Sequence, residues 1–105
     1  MKRTTDEGAV RRSSQLCRIL GNPTAYGIVR LLREGRRRPM DLARLLGVSA
    51  SAVVNQLKQL KIAGVVRFES GGVRRAGRKV EYYLADRTLS RGLDTLERTV
   101  KTVAR

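Results

Sequence analysis

The stretch Asp41–Gly64, DLARLLGVSASAVVNQLKQLKIAG, decides the fold. It holds two amphipathic segments. Pro39 opens the first, Asp41 sits in its first turn where a carboxylate suits the helix dipole, and Leu42, Leu45 and Leu46 mark its buried face. Gly47 closes it. Ser49 is a good N-cap for a second helix, predicted to run to Ala63 with Gly64 as its stop. Within that helix Val53, Leu57 and Leu60 recur at four- and three-residue spacing and form one stripe. A short helix, a glycine-containing turn and a second helix make the helix-turn-helix plan. In that plan the second helix enters the major groove of DNA and the first crosses the phosphate backbone. Leu42, Leu46, Val53, Leu57 and Leu60 are expected to pack the pair together. Ala50, Ser51, Ala52, Val54, Asn55, Gln56 and Lys58 are then free to face outward.

Upstream, Ala9, Val10, Leu16, Cys17 and Leu20 follow helical spacing until Gly21, while residues 1–8 read as a flexible polar tail. Asn22-Pro23 starts another helix, with Tyr26, Ile28, Val29, Leu31 and Leu32 continuing to Gly35. Gly27 lies inside it, at a cost of about 1 kcal/mol relative to alanine. Downstream of Gly64 the period changes from helical to alternating. Val66, Phe68, Val80, Tyr82 and Leu84 share one face, with Arg67, Glu69, Lys79, Glu81 and Tyr83 on the other. The glycine-rich connection Ser70–Arg78 makes these two strands a hairpin. Asp86 can cap a last helix, in which Leu89, Leu93, Leu96, Val100 and Val103 alternate by four and three residues, a coiled-coil-like seam suited to a partner subunit. The fold class is therefore α+β, mostly α: a winged helix-turn-helix, with residues 9–105 as one DNA-binding and dimerisation domain.

The chemistry of the outward positions fits double-stranded DNA. Asn55 and Gln56 can each make paired hydrogen bonds to adenine, and Val54 or Ala52 can touch a thymine methyl. Ser51 and Lys58 suit phosphates, which position a protein without specifying sequence, and Ser49 is counted with them among the DNA-binding residues. Arg74, Arg75, Arg78 and Lys79, at or beside the hairpin tip, suit phosphates or a narrow minor groove.

Charge points the same way. The 105 residues carry 23 Lys and Arg against 9 Asp and Glu, a formal net charge of +14. Such a field attracts nucleic acid or an anionic membrane. The last helix lacks aromatic residues and has a narrow apolar stripe, which argues against the membrane. No apolar run is long enough to span a bilayer, and Met1–Arg12 lacks the apolar core of a secretory signal. A single cysteine offers no internal disulfide, so the cytoplasm is the expected compartment. With no histidine and no phosphate loop after a strand, no catalytic constellation can be assembled, and neither an enzyme nor a cofactor is expected. The rival to a sequence-specific regulator is a non-specific DNA-coating or architectural protein.

Leu20-Gly21-Asn22-Pro23-Thr24 and Ile28–Gly35 resemble the opening of the ArsR/SmtB family of bacterial and archaeal repressors. Asp41–Ala43, Leu46–Ser49, Val53, Leu57-Lys58, Leu60 and Ala63–Val66 resemble that family's helix-turn-helix, and Gly77–Leu84 resembles the return strand of its wing. The resemblance implies a homodimer joined through first and last helices, here Leu16, Cys17 and Leu20 with Leu89, Leu93, Leu96, Val100 and Val103. It also implies operator binding, usually released by an effector, which this sequence does not name. The family's metal sensors use cysteines in the first helix of the helix-turn-helix, or histidine and acidic residues on the last helix. Here Arg38–Ala43 contains no cysteine, and Asp86, Asp94 and Glu97 offer no nitrogen or sulfur donor, so no metal site is expected. Cys17 reads either as a small buried hydrophobe or as a thiol switch at the dimer interface.

Overall fold

The computed structural model describes residues 3–71 and 79–103. Five helices and one hairpin follow in order: α1 (Arg3–Leu20), α2 (Pro23–Leu32), α3 (Pro39–Leu46), α4 (Ala50–Ile62), β1 (Val66–Gly71), β2 (Lys79–Leu84) and α5 (Thr88–Val103). Most boundaries sit on local signals. The Asn22 side chain accepts from the amides of Thr24 at 2.8 Å and Ala25 at 3.2 Å, and Pro23 fills the first turn of α2. Ser49 Oγ accepts from the Ala52 amide at 3.1 Å and starts α4. Asp86 accepts from the Thr88 amide at 2.8 Å, a bond that lowers its pKa and caps α5. Gly47 and Gly64, with φ of +68° and +81°, end α3 and α4 in a left-handed conformation that glycine adopts without strain.

Helix α1 begins at Arg3, ahead of the Ala9 start that apolar spacing predicts. The added turns are polar, so no periodicity announces them; Asp6 in the first turn suits the helix dipole.

The core joins all the elements after α1. Ala25, Ile28, Val29 and Leu32 of α2 meet Leu42 and Ala43 of α3, Val53, Leu57 and Leu60 of α4, Val66 and Leu84 of the hairpin, and Leu93 of α5. The absent side chain at Gly27 is explained here. A Cβ at that position would stand 2.7 Å from Leu46 Cδ2, so glycine lets α3 seat its last leucine against α2. Leu45, expected on the buried face of α3, is instead 47% exposed. An eight-residue helix presents only one narrow stripe to its neighbours, and Leu42, Ala43 and Leu46 occupy it.

Strands β1 and β2 pair antiparallel, from Val66 opposite Leu84 out to Gly71 opposite Lys79, so Ser70 and Gly71 belong to the ladder rather than to the connection. A further bridge was not foreseen. Arg37, in the link between α2 and α3, exchanges both backbone hydrogen bonds with Tyr82, at 3.1 and 2.8 Å, and lies along the outer edge of β2.

Candidate nucleic-acid interface

Helix α4 is anchored along one side and open along the other. Val53, Leu57 and Leu60 are buried against α2 and α3, and the opposite face carries exposed Ser51, Val54, Asn55 and Lys58. Ala52 and Gln56 are half-buried at the flank of that face. Gln56 is therefore less free to reach outward than Asn55. Ser49 is exposed, but its oxygen already serves the helix as the cap, with Ser51 Oγ 3.3 Å away. The structure thus brings Ser49, Ser51, Val54, Asn55 and Lys58 onto one surface strip.

Lys79 opens β2 and is exposed beside Gly71, at the root of the basic connection. Arg74, Arg75 and Arg78 lie outside the described residues. Sequence reading did not single out Arg36, which the structure places on the wing. Its guanidinium pairs with Glu69 at 2.5 Å and stacks 4.3 Å from the centroid of the Tyr83 ring, and the Glu69 bond raises its pKa. Glu69 is 33 residues away in sequence, so no local spacing could have announced the pair.

The apolar positions of the first and last helices divide. Leu93 is only 3% exposed and belongs to the protomer's own core, and Leu89 packs half-buried against it. This corrects the reading of an unbroken intersubunit seam. A four-three repeat places five residues on one stripe without saying that a helix of the same chain takes up its first half. Leu96, Val100 and Val103 remain exposed at 50%, 56% and 76%. On α1, Leu16 and Leu20 are half-buried, and Leu20 packs on the core. Cys17 is exposed on the protomer.

Helix α5 is held on α2 by polar contacts as well. Tyr26 donates to Glu97 at 2.6 Å, Arg30 pairs with the other oxygen of Glu97, and Arg33 forms a two-pronged pair with Asp94 at 2.5 and 3.1 Å. Arg87 adds a bond to the Arg33 carbonyl at 2.7 Å. The Arg33 bond holds the Asp94 carboxyl below its usual range, and the Tyr26 hydroxyl does the same for Glu97, with Arg30 adding to it. Burial, then Glu97, pushes the Tyr26 phenol up.

These contacts also decide how the residues fit a metal ion. The acidic side chains of α5 face arginines, the chain has no histidine, and its one cysteine lies on α1. No cluster of three or more His, Cys, Asp or Glu side chains occurs among the described residues. The donor set does not fit a transition metal.

With this geometry in place, the likeness to known proteins is specific. Residues 22–67, which run from the Asn22 cap into β1, match the profile of "Bacterial regulatory protein, arsR family". The HTH-type transcriptional regulator CmtR of Mycobacterium bovis is 37% identical over 92 residues, covering 86% of this chain and 72% of the relative. The chain belongs to the ArsR family. The HTH-type transcriptional repressor SmtB of Mycobacterium tuberculosis is 41% identical over 78 residues, 74% of this chain. The match spans about half of that relative, 54% of its length. The fold agrees with solved structures. The homodimeric winged helix-turn-helix DNA-binding domain of a Mycobacterium bovis protein superposes with a TM-score of 0.75 at 19% identity, covering 96% of this chain and 87% of that one. The architecture is thus the winged helix-turn-helix expected of an ArsR-family chain.

Proposed function

We propose that this chain is a sequence-specific, double-stranded DNA-binding transcriptional regulator of the ArsR type, acting as a homodimeric repressor without a metal site. One observation carries the reading: α4 is fixed by Val53, Leu57 and Leu60 while Ser51, Val54, Asn55 and Lys58 stand exposed on its opposite face. A helix so mounted can enter the major groove with its polar side chains at the base edges. Asn55 is the reader, Val54 the thymine contact, and Ser49, Ser51 and Lys58 the phosphate contacts. Ala52 and Gln56 act from the flank. Lys79, with Arg74, Arg75 and Arg78, supplies the basic wing. Exposed Leu96, Val100 and Val103 of α5, with Leu16, Cys17 and Leu20 of α1, form the surface for a second copy. Its role is binding rather than catalysis, and its place is the cytoplasm; no helix among the described residues is long and apolar enough to cross a membrane.

The net charge of +14 favours a second reading, a protein that coats DNA without reading it. Selection from random duplexes separates the two. Enrichment of a palindromic motif is expected here; recovery of unenriched DNA at similar affinity would establish the coating protein instead.

A further inference from the structure

Within the stretch from Leu42 to Ala85, the acidic residues are Glu69 and Glu81, and the hairpin sets them directly opposite each other. Facing like charges destabilise a strand pair. Neutral residues there would serve the sheet better. Glu69 holds Arg36: the guanidinium lies across Tyr83, 4.3 Å from its centroid, with Nη1 on the Glu69 carboxylate.

The face that bears this contact carries further basic residues. By strand alternation Glu69 and Tyr83 share the face of Gly71 and Lys79, at the root of the arginine-bearing connection. The antiparallel bridge of Arg37 to Tyr82 sets exposed Arg38, which caps α3 without any side-chain bond to the helix, level with Glu81, and Arg36 level with Tyr83. Arg36 thus shares this face with Lys79, Arg38 and exposed Arg67, and among the described residues it is the cation of the strip seen paired to a carboxylate.

We propose that Arg36 is a phosphate-binding residue and that Glu69 occupies, in the free protein, the place a DNA phosphate takes in the complex. The inference rests on the DNA-binding function proposed above. Both members of the pair are well exposed, with side chains 44% and 64% accessible, so their bond is weak and screened by water and salt. A phosphate offers the guanidinium a two-pronged acceptor and gains the release of condensed counterions, so it displaces the carboxylate. Tyr83 keeps the guanidinium extended throughout. Glu69 thereby lowers affinity for DNA of any sequence while keeping Arg36 in position.

The test is a double-substitution cycle on a 40-bp mixed-sequence duplex, with affinity measured by fluorescence anisotropy across a salt series. Glu69→Gln is expected to tighten binding about threefold at low salt, in proportion to the weak surface pair it removes. In an Arg36→Gln background the same substitution should change nothing, and Glu81→Gln alone should tighten binding less than Glu69→Gln. Equal tightening by Glu69→Gln in both backgrounds, or by Glu81→Gln, would mean a general field effect and overturn the exchange. An unchanged affinity for Glu69→Gln would overturn it as well. A parent protein with no affinity for any duplex would instead remove the DNA-binding function, and the exchange with it.

Discussion

Tyr26 of α2 donates its phenolic hydrogen to Glu97 of α5 at 2.6 Å, joining residues 71 positions apart. Helix α2 in turn lies against α3 and α4, so the helix that carries exposed Leu96 and Val100 is fixed to the helix-turn-helix through this contact and the neighbouring Arg33–Asp94 pair. Replacing Tyr26 by Phe keeps the ring and deletes the bond. We expect a lower Tm, by about 4 °C, with the helical content by circular dichroism unchanged.

The same cluster sets an acid limit on stability. Asp94 and Glu97 have native pKa values below their ordinary ones, so as pH falls the unfolded chain takes up protons first. Their contribution is complete above the unfolded carboxylate range, at about pH 4 to 5, and is lost as pH drops through the lower native values. Urea midpoints measured from pH 7 to pH 2 should fall in that acid window. The fall should be shallower for Asp94→Asn with Glu97→Gln; equal slopes would place the acid sensitivity elsewhere.

Leu93 and Leu96 are three residues apart and do different work. Leu93→Ala, in the protomer core, is expected to cost about 2–4 kcal/mol of folding stability. Leu96→Glu with Val100→Glu should leave the protomer folded but shift sedimentation to the monomer. A double variant that still sediments as a dimer would place the subunit contact on another surface.

On α4, Asn55→Ala should change which duplexes are recovered in a selection, and Lys58→Ala should weaken all of them while reducing the salt slope by about one. The two effects are separable because one residue is assigned to base edges and the other to phosphates. Equal losses on every duplex for both variants would contradict the assignment.

Gly27 is expected to reject larger residues. Gly27→Val drives a branched side chain into Leu46 and should destabilise by about 1–3 kcal/mol. Leu46→Ala in the same chain should recover part of that loss in a urea titration, since it vacates the colliding methyl.

Where the sequence was legible, the physics was local. Asn22, Ser49 and Asp86 satisfy free amides within three residues, and Gly47 and Gly64 supply left-handed turns, so the order of elements could be read from neighbours in the chain. The stripe Val53, Leu57 and Leu60 likewise has one side, and the core took it. What could not be read depends on which element ends up against which. Leu45 and Leu93 are both leucines on apolar stripes, yet one is exposed and the other buried, because only the assembled neighbours decide. The pairs Arg36–Glu69 and Tyr26–Glu97, and the Arg37–Tyr82 bridge, join distant segments and leave no mark in periodicity. The polar opening of α1 has no apolar rhythm to reveal it.

The division of α4 into a buried and a bare side has an evolutionary consequence. Val54, Asn55 and Lys58 lie outside the core on the exposed face of α4, so substitutions there draw on little of the chain's folding stability. On the function proposed above, new target sequences can be explored one residue at a time without passing through unfolded intermediates. The scaffold is free to be inherited unchanged while its vocabulary is rewritten.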